Sequence, residues 1–394
     1  MAMMPTQSRR LMKLRPIFRA ASASALVLGL ALVAANSASA STPRGFNGSD
    51  SQSALFVETD ASAGNSVISY HQASDGTISI AGTYSTGGLG ATAAGATADP
   101  LASQDGLLLA NHGEDLLAAN PGSDSVTVFA VDGTQLRIIQ KISSGGLFPD
   151  SIAASGRYVA VANAGGAGSV AEFQWVNGGL APLAGQVRSL GLSNTTPPDF
   201  HHGPGELAYT PNGQHLIITT KLSTNAYDVF SVGFNGALSS APVVTPAVNA
   251  LPFSFVFDAA GNVVATEASN SSATTYRVNA NGSLTSLGTV SDGASALCWI
   301  SGANGYFYGS NAGSGTVSSF SENASGAPVL VNATAATAHA GTTDSVVSPN
   351  GQFFYVESGG AGTIDAFAIG AGGTLTPIET LFNIPVASEG LAIS

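Results

Sequence analysis

Residues 203–240 read GPGELAYTPNGQHLIITTKLSTNAYDVFSVGFNGALSS and divide into four short strands. Residues 206–210 are half apolar and stop at Pro211-Asn212-Gly213, a strong turn signal. Residues 215–220 are the β-branched run HLIITT. A small-residue loop follows, then residues 226–232 with an aromatic near their end, and Asn235-Gly236 turns the chain into a fourth, more polar strand. One such sheet cannot cover both of its faces, so it needs neighbours of its own kind.

Those neighbours are present. The third-strand aromatic recurs as Tyr70, Phe129, Phe173, Phe230, Tyr276, Phe320 and Phe367, at intervals of 44 to 59 residues. Segments such as AANPGSDSVTVF and VESGGAGTIDAF lead into it, and a turn with a further strand follows. Seven Gly-punctuated all-β copies predict a seven-bladed β-propeller with four-stranded antiparallel blades. The first copy, opening at Ala54, lacks an innermost strand, and residues 389–394 (EGLAIS) look like one without a blade. The C-terminal strand should therefore join the N-terminal blade and close the ring, removing an open edge. The two longest intervals leave insertions at residues 87–99, read as a flexible loop, and 189–202. Long loops on a rigid scaffold often carry function.

The first 40 residues stand apart. Arg9, Arg10, Lys13, Arg15 and Arg19 precede the apolar run 20–35 and the small residues Ala38-Ser39-Ala40. This reads as a secretory signal peptide, by the general or the twin-arginine route, with 41–53 a loose leader and 54–394 the propeller. An uncleaved N-terminal anchor is the competing reading. Removing the five basic residues of that segment leaves 7 basic against 24 acidic residues, a net charge of −17. So acidic a chain argues against nucleic acid, anionic membranes and phosphorylated substrates. A secreted or periplasmic monomer with a small-molecule ligand is expected. Cys298 is alone, in the apolar context ALCWI, and reads as a buried thiol rather than a nucleophile.

In a propeller, the starts of the first strands and the ends of the second ring one mouth of the central channel. The first set reads Gln104, Asp150, Glu206, Ser254, Ser295, Asp344 and Glu389; the second reads Asp60, Asn120, Asn163, Lys221, Glu267, Asn311 and Glu357. Such strand-end residues also satisfy backbone groups of turns. The excess of acid nevertheless marks Asp150, Asn163, Glu267, Asn311, Asp344 and Glu357 as candidate ligand contacts. Clustered carboxylates must keep protons, pair with Lys221 or hold a cation, of which Ca²⁺ is the natural choice for oxygen donors. No cofactor is required. His201-His202 is the other chemical feature. The expectation is that His202 faces the channel near Glu206, as a base–acid pair with Lys221 stabilising an oxyanion; a solvated loop histidine is the alternative.

The units TPNGQHLIITTKLSTNAYDVF and SPNGQFFYVESGGAGTIDAFAIGAGGTLTPIETL resemble the lactonase-type seven-bladed propellers, including the 6-phosphogluconolactonases and carboxy-muconate cyclases. The resemblance runs through residues 54–394. It implies lactone ring opening or closing on a small, unphosphorylated, oxygen-rich ligand. The phosphogluconolactonase Pro-His-x-His segment is represented here by residues 202–205, HGPG, so its histidine positions read as glycine. A non-catalytic binding or surface propeller is the alternative that this departure favours. A Ca²⁺-dependent gluconolactonase-like chemistry is a third reading, but those enzymes resemble six-bladed propellers and the count here is seven.

Overall fold

The computed structural model describes residues 53–394. The segment read as a signal peptide and nearly all of the one read as a leader lie outside them. Among the described residues no helix is long and apolar enough to cross a membrane. Seven four-stranded sheets form the molecule. Blade 4, built from the opening stretch, comprises Leu207–Tyr209, His215–Thr219, Ala226–Ser231 and Val243–Pro246. The fourth strand starts later than Asn235-Gly236 suggests, because that dipeptide closes a local turn in which Gly233 N donates to Ala237 O at 2.8 Å.

Turn chemistry sets the register between the first two strands. Gly213 sits at φ +67° and its N–H reaches Thr210 O at 2.7 Å, while Thr210 N meets His215 O at 2.9 Å. Asn212 Oδ1 accepts from Gln214 N at 3.0 Å. The related Ser348–Gly351 turn of blade 7 repeats the pattern, with Gly351 at φ +67°. Middle strands are buried on both faces, as in His215–Thr219, since a blade packs against a neighbour on each side. Outermost strands alternate, as in Ile78–Ser85.

All seven repeat aromatics are buried, and each lies on the third strand of its blade. In six blades the outer strand bulges at or beside its pairing with the aromatic: Tyr70, Phe129, Phe173, Tyr276, Phe320 and Phe367. A bulge adds local twist, and blades of a propeller are strongly twisted.

The hydrophobic core is divided among the blade–blade interfaces, one cluster each. Leu55, Val57 and Tyr70 of blade 1 pack on Phe353, Tyr355 and Ile364 of blade 7, so the last interface is built like the others. Leu391–Ile393 completes blade 1 antiparallel to Ala54–Glu58, with Phe56 opposite Ala392. Glu58 N donates to Gly390 O at 3.0 Å and Ser394 N to Ala54 O at 2.9 Å. The ring is closed, as the sequence predicts.

The insertions are not loose. Ala94 and Asp199 form a parallel bridge that joins one to the other. Ala94 N reaches Pro198 O at 2.7 Å, and Phe200 N reaches Ala94 O at 3.2 Å. The first insertion then dives into the channel. Ser103 is fully buried, and its carbonyl accepts from Trp299 Nε1 of blade 6 at 2.7 Å. Gln104 Oε1 accepts from Ile300 N at 3.1 Å, and Gln104 N donates to Gly205 O at 2.8 Å. The flexible loop expected at 87–99 thus leads into a plug, because the lumen offers it unpaired backbone groups from several blades.

Candidate active site

A cavity of 290 Å³ opens above this plug. First-strand starts (Phe253, Trp299, Thr343) and second-strand ends (Lys221, Ala268, Ala312) line it, so it lies at the mouth read from sequence. The two insertions add Asp99 and His201.

Lys221 is the structural centre. It follows His215–Thr219 and opens the single helical turn Lys221–Thr224, which ends at Asn225 in the left-handed region, φ +52°. Asparagine tolerates that conformation. The lysine is 1% exposed. Its Nζ donates to Ala102 O at 2.5 Å and lies 5.5 Å from the Phe253 ring centroid. Only one of three ammonium hydrogens thus has a protein acceptor among the described residues. Burial lowers its pKa, against the pull of Asp150, Asp99 and Glu389.

His201 and His202 part ways, as adjacent side chains in extended chain must. His201 lines the cavity and stacks on Phe200, ring centroids 3.6 Å apart. Its carbonyl accepts from Leu222 N at 2.9 Å, which ties the insertion to the lysine's turn. Burial lowers its pKa, so it is neutral at pH 7. His202 is half-buried, with Nδ1 2.8 Å from Asp199 Oδ1. The expected pairing of His202 with Glu206 is therefore corrected: Glu206 is buried, and its Oε2 accepts from Phe255 N of the next blade at 2.6 Å.

The other carboxylates tell a similar story. Asp344 Oδ2 accepts from Leu391 N at 3.0 Å, again stitching one blade's first strand to the next. Glu267 accepts from Tyr276 OH at 2.8 Å and from Ser272 Oγ at 3.2 Å. Asn311 Nδ2 donates to Ser318 Oγ at 2.9 Å, and Asn163 Nδ2 to Ser144 O at 3.4 Å. Asp150 and Glu357 are buried without protein partners for either carboxylate oxygen. None of these six candidate contacts, nor Glu206, lines the cavity; Ala268, Ala312 and Thr343 beside them do. Strand alternation turns the acids away and their neighbours inward.

The acids also answer the charge problem. Burial pushes Asp105 up to about 7, and Asp150 and Asp344 up to about 8. Glu206, Glu357 and Glu389 are raised by burial as well. Burial raises Asp99 and Glu389 alike; the side-chain hydrogen bond they share lowers Asp99 and raises Glu389 further, so of the two Glu389 holds its proton more tightly. Among the described residues no three His, Cys, Asp or Glu side chains gather as metal ligands. Cys298 is buried at the cavity wall, its thiol pushed far up by burial.

Asp99 and His201 escape a reading of strand ends alone, because they arrive on insertions. The length of the two intervals is the signal for Asp99, and the His201-His202 pair adds a second one for His201.

The family model "Lactonase, 7-bladed beta-propeller" matches residues 64–175. None of the curated proteins matches the chain in sequence. Among solved structures, the periplasmic gluconolactonase of Pseudomonas aeruginosa is 20% identical, with a TM-score of 0.68 over 87% of this chain and 99% of that one. A candidate 6-phosphogluconolactonase of Bacteroides fragilis is 18% identical, with a TM-score of 0.68 over 89% of this chain and 99% of that one. A protein from Lactobacillus plantarum is 16% identical, with a TM-score of 0.70 over 87% and 99%. At such identities the likeness concerns the fold.

Proposed function

We propose that this seven-bladed propeller, of which residues 64–175 match the lactonase family model, opens the ring of a small unphosphorylated lactone in the cavity above the plug. One observation carries this reading: a buried lysine with spare ammonium hydrogens lines the same 290 Å³ space as a neutral histidine. Both insertions contribute to that space, which accounts for their length.

In this reading Lys221 donates to the lactone carbonyl oxygen. His201 takes a proton from water as the oxygen of that water bonds to the carbonyl carbon. The tetrahedral intermediate carries its negative charge beside Lys221, where a low-dielectric wall makes the interaction strong. The bond between that carbon and the ring oxygen then breaks, and His201 returns its proton to the leaving oxygen. One water is consumed and a hydroxy acid is released. Among the described residues no arginine lines the cavity, in keeping with an unphosphorylated substrate. The export signal read in the first 40 residues would put this reaction outside the cytoplasm.

The test is turnover of a lactone panel followed by base consumption. Lys221→Met is expected to lower kcat about 10²–10³-fold, the scale of losing one oxyanion donor. His201→Gln should lower it comparably, while His202→Ala, which removes a group bound to Asp199 outside the cavity, should leave it within about twofold. Equal losses in His201→Gln and His202→Ala, or full activity in Lys221→Met, would overturn the assignment.

A further inference from the structure

The wall of the cavity says more about the ligand than Lys221 and His201 do. Phe253 and Trp299 meet edge to face, with centroids 4.8 Å apart, and Leu251 and Phe200 extend the same lining. Several alanines, among them Ala268 and Ala312, fill the space between. Of the ionisable groups that line it, Asp99 and His201 come on the insertions, Lys221 from blade 4 and the Cys298 thiol from blade 6; blades 5 and 6 otherwise offer mainly carbon. Hydroxyls reach the lining at Thr97, Ser269, Thr342 and Thr343, but a polyhydroxylated ring laid on Phe253 and Trp299 would lose its water against that carbon, at a cost of about 1–3 kcal/mol for each hydroxyl left unpaired. An alkyl or aryl substituent would instead gain about 25 cal/mol for each Å² it buries. Burial draws Lys221 and Asp99 both toward their neutral forms, and charged together they would cancel, so the site as a whole favours a neutral molecule.

Resting on the lactonase reading, we propose that the substrate class is the neutral lactone bearing a hydrocarbon substituent, held with its ring ester at Lys221 and its alkyl or aryl arm on Phe253, Trp299 and Leu251. This differs from the oxygen-rich ligand that the resemblance implies, and the aromatic pair is the reason.

Trp299 is a built-in reporter, since the chain has 2 tryptophans and Trp175 lies on the third strand of blade 3. In Trp175→Phe protein, δ-decalactone and glucono-δ-lactone are titrated against Trp299 emission, with calorimetry on the unsubstituted protein as a second measurement. The alkyl lactone is expected to half-saturate at a concentration at least tenfold lower. 2-Pentylcyclopentanone, which keeps the carbonyl and the arm but has no ester to hydrolyse, should bind with it. Equal or tighter binding of glucono-δ-lactone would overturn the proposal. Hydrolysis, followed separately, keeps the two readings apart. Turnover of glucono-δ-lactone with no binding of δ-decalactone sinks this inference and leaves the lactonase reading. Binding of δ-decalactone and the ketone without any turnover does the reverse.

Discussion

A lysine that is 1% exposed keeps its charge only if something nearby repays its lost hydration, and Lys221 has one carbonyl, one aromatic face and the carboxyls of Asp150, Asp99 and Glu389 to do so. That balance predicts a pH profile for turnover. Burial lowers His201, so its basic form persists below the pH at which a free histidine, near 6.5, takes up a proton. The acid limb of kcat should therefore fall below that value. Burial also lowers Lys221, so its ammonium form is lost earlier than in an ordinary lysine, and the alkaline limb should begin below pH 10.5. A bell with both limbs moved to lower pH is the expected outcome, and His201→Gln should abolish the acid limb alone. The residue scale is also where reading the sequence fell short. The columns of Asp, Glu and Asn were found correctly at strand ends, but strand alternation decides which of two neighbours looks into the channel. Nothing in EASN or GSNAG announces that Ala268 and Ala312, rather than Glu267 and Asn311, form the wall.

At the scale of elements, the repeat was legible because each blade keeps the same apolar phase and the same aromatic, and the interfaces between blades reward that phase seven times over. The insertions were legible only as excess length. Their path depends on contacts made once, across the molecule, and such contacts leave no period in the sequence. Residues 98–104 illustrate this. A Cβ on Gly359 would lie 2.2 Å from Ala98 O and 3.0 Å from Ser388 O, so the insertion can cross there only over a glycine. Gly359→Ala is expected to push the insertion off its path and cost about 1–3 kcal/mol, the usual penalty of overpacking. Because Asp99 and Ala102 belong to that insertion, ligand binding should weaken at least tenfold while the far-UV circular dichroism of the blades is unchanged. Thermal melting and the Trp299 titration check both halves. Gln104→Ala probes the plug from the other side. It strips the acceptor from Ile300 N inside the channel, for about 1–3 kcal/mol of stability.

At the scale of the whole molecule, two devices hold the ring: the shared first blade and the protonated acids around the channel. Deleting residues 389–394 would remove the inner strand of blade 1 and leave Ala54–Glu58 with an open edge. A loss on the order of 4 kcal/mol is expected, the scale of emptying a buried leucine site, together with concentration-dependent association seen by light scattering. The acids give a less usual prediction. Asp105, at about 7, and Asp150 and Asp344, at about 8, hold their protons in the folded protein well above the value near 3.9 of an unfolded aspartate. Between about pH 4 and pH 8 the folded state therefore binds more protons than the unfolded one, and stability must fall as pH rises through that window. Glu206, Glu357 and Glu389 add to the slope with the same sign. His201 and His215, both lowered by burial, pull the other way below about pH 6.5, but they are fewer and less buried. Lys221, also lowered by burial, pulls the same way as the histidines below pH 10.5. The melting temperature should thus be several degrees higher at pH 5 than at pH 8, and Asp105→Asn, which keeps the shape without the titration, should flatten the slope. A flat or rising curve for the unsubstituted protein would mean that the channel acids are ionised at neutral pH and balanced by some other charge, and the neutral setting argued for the cavity would go with it.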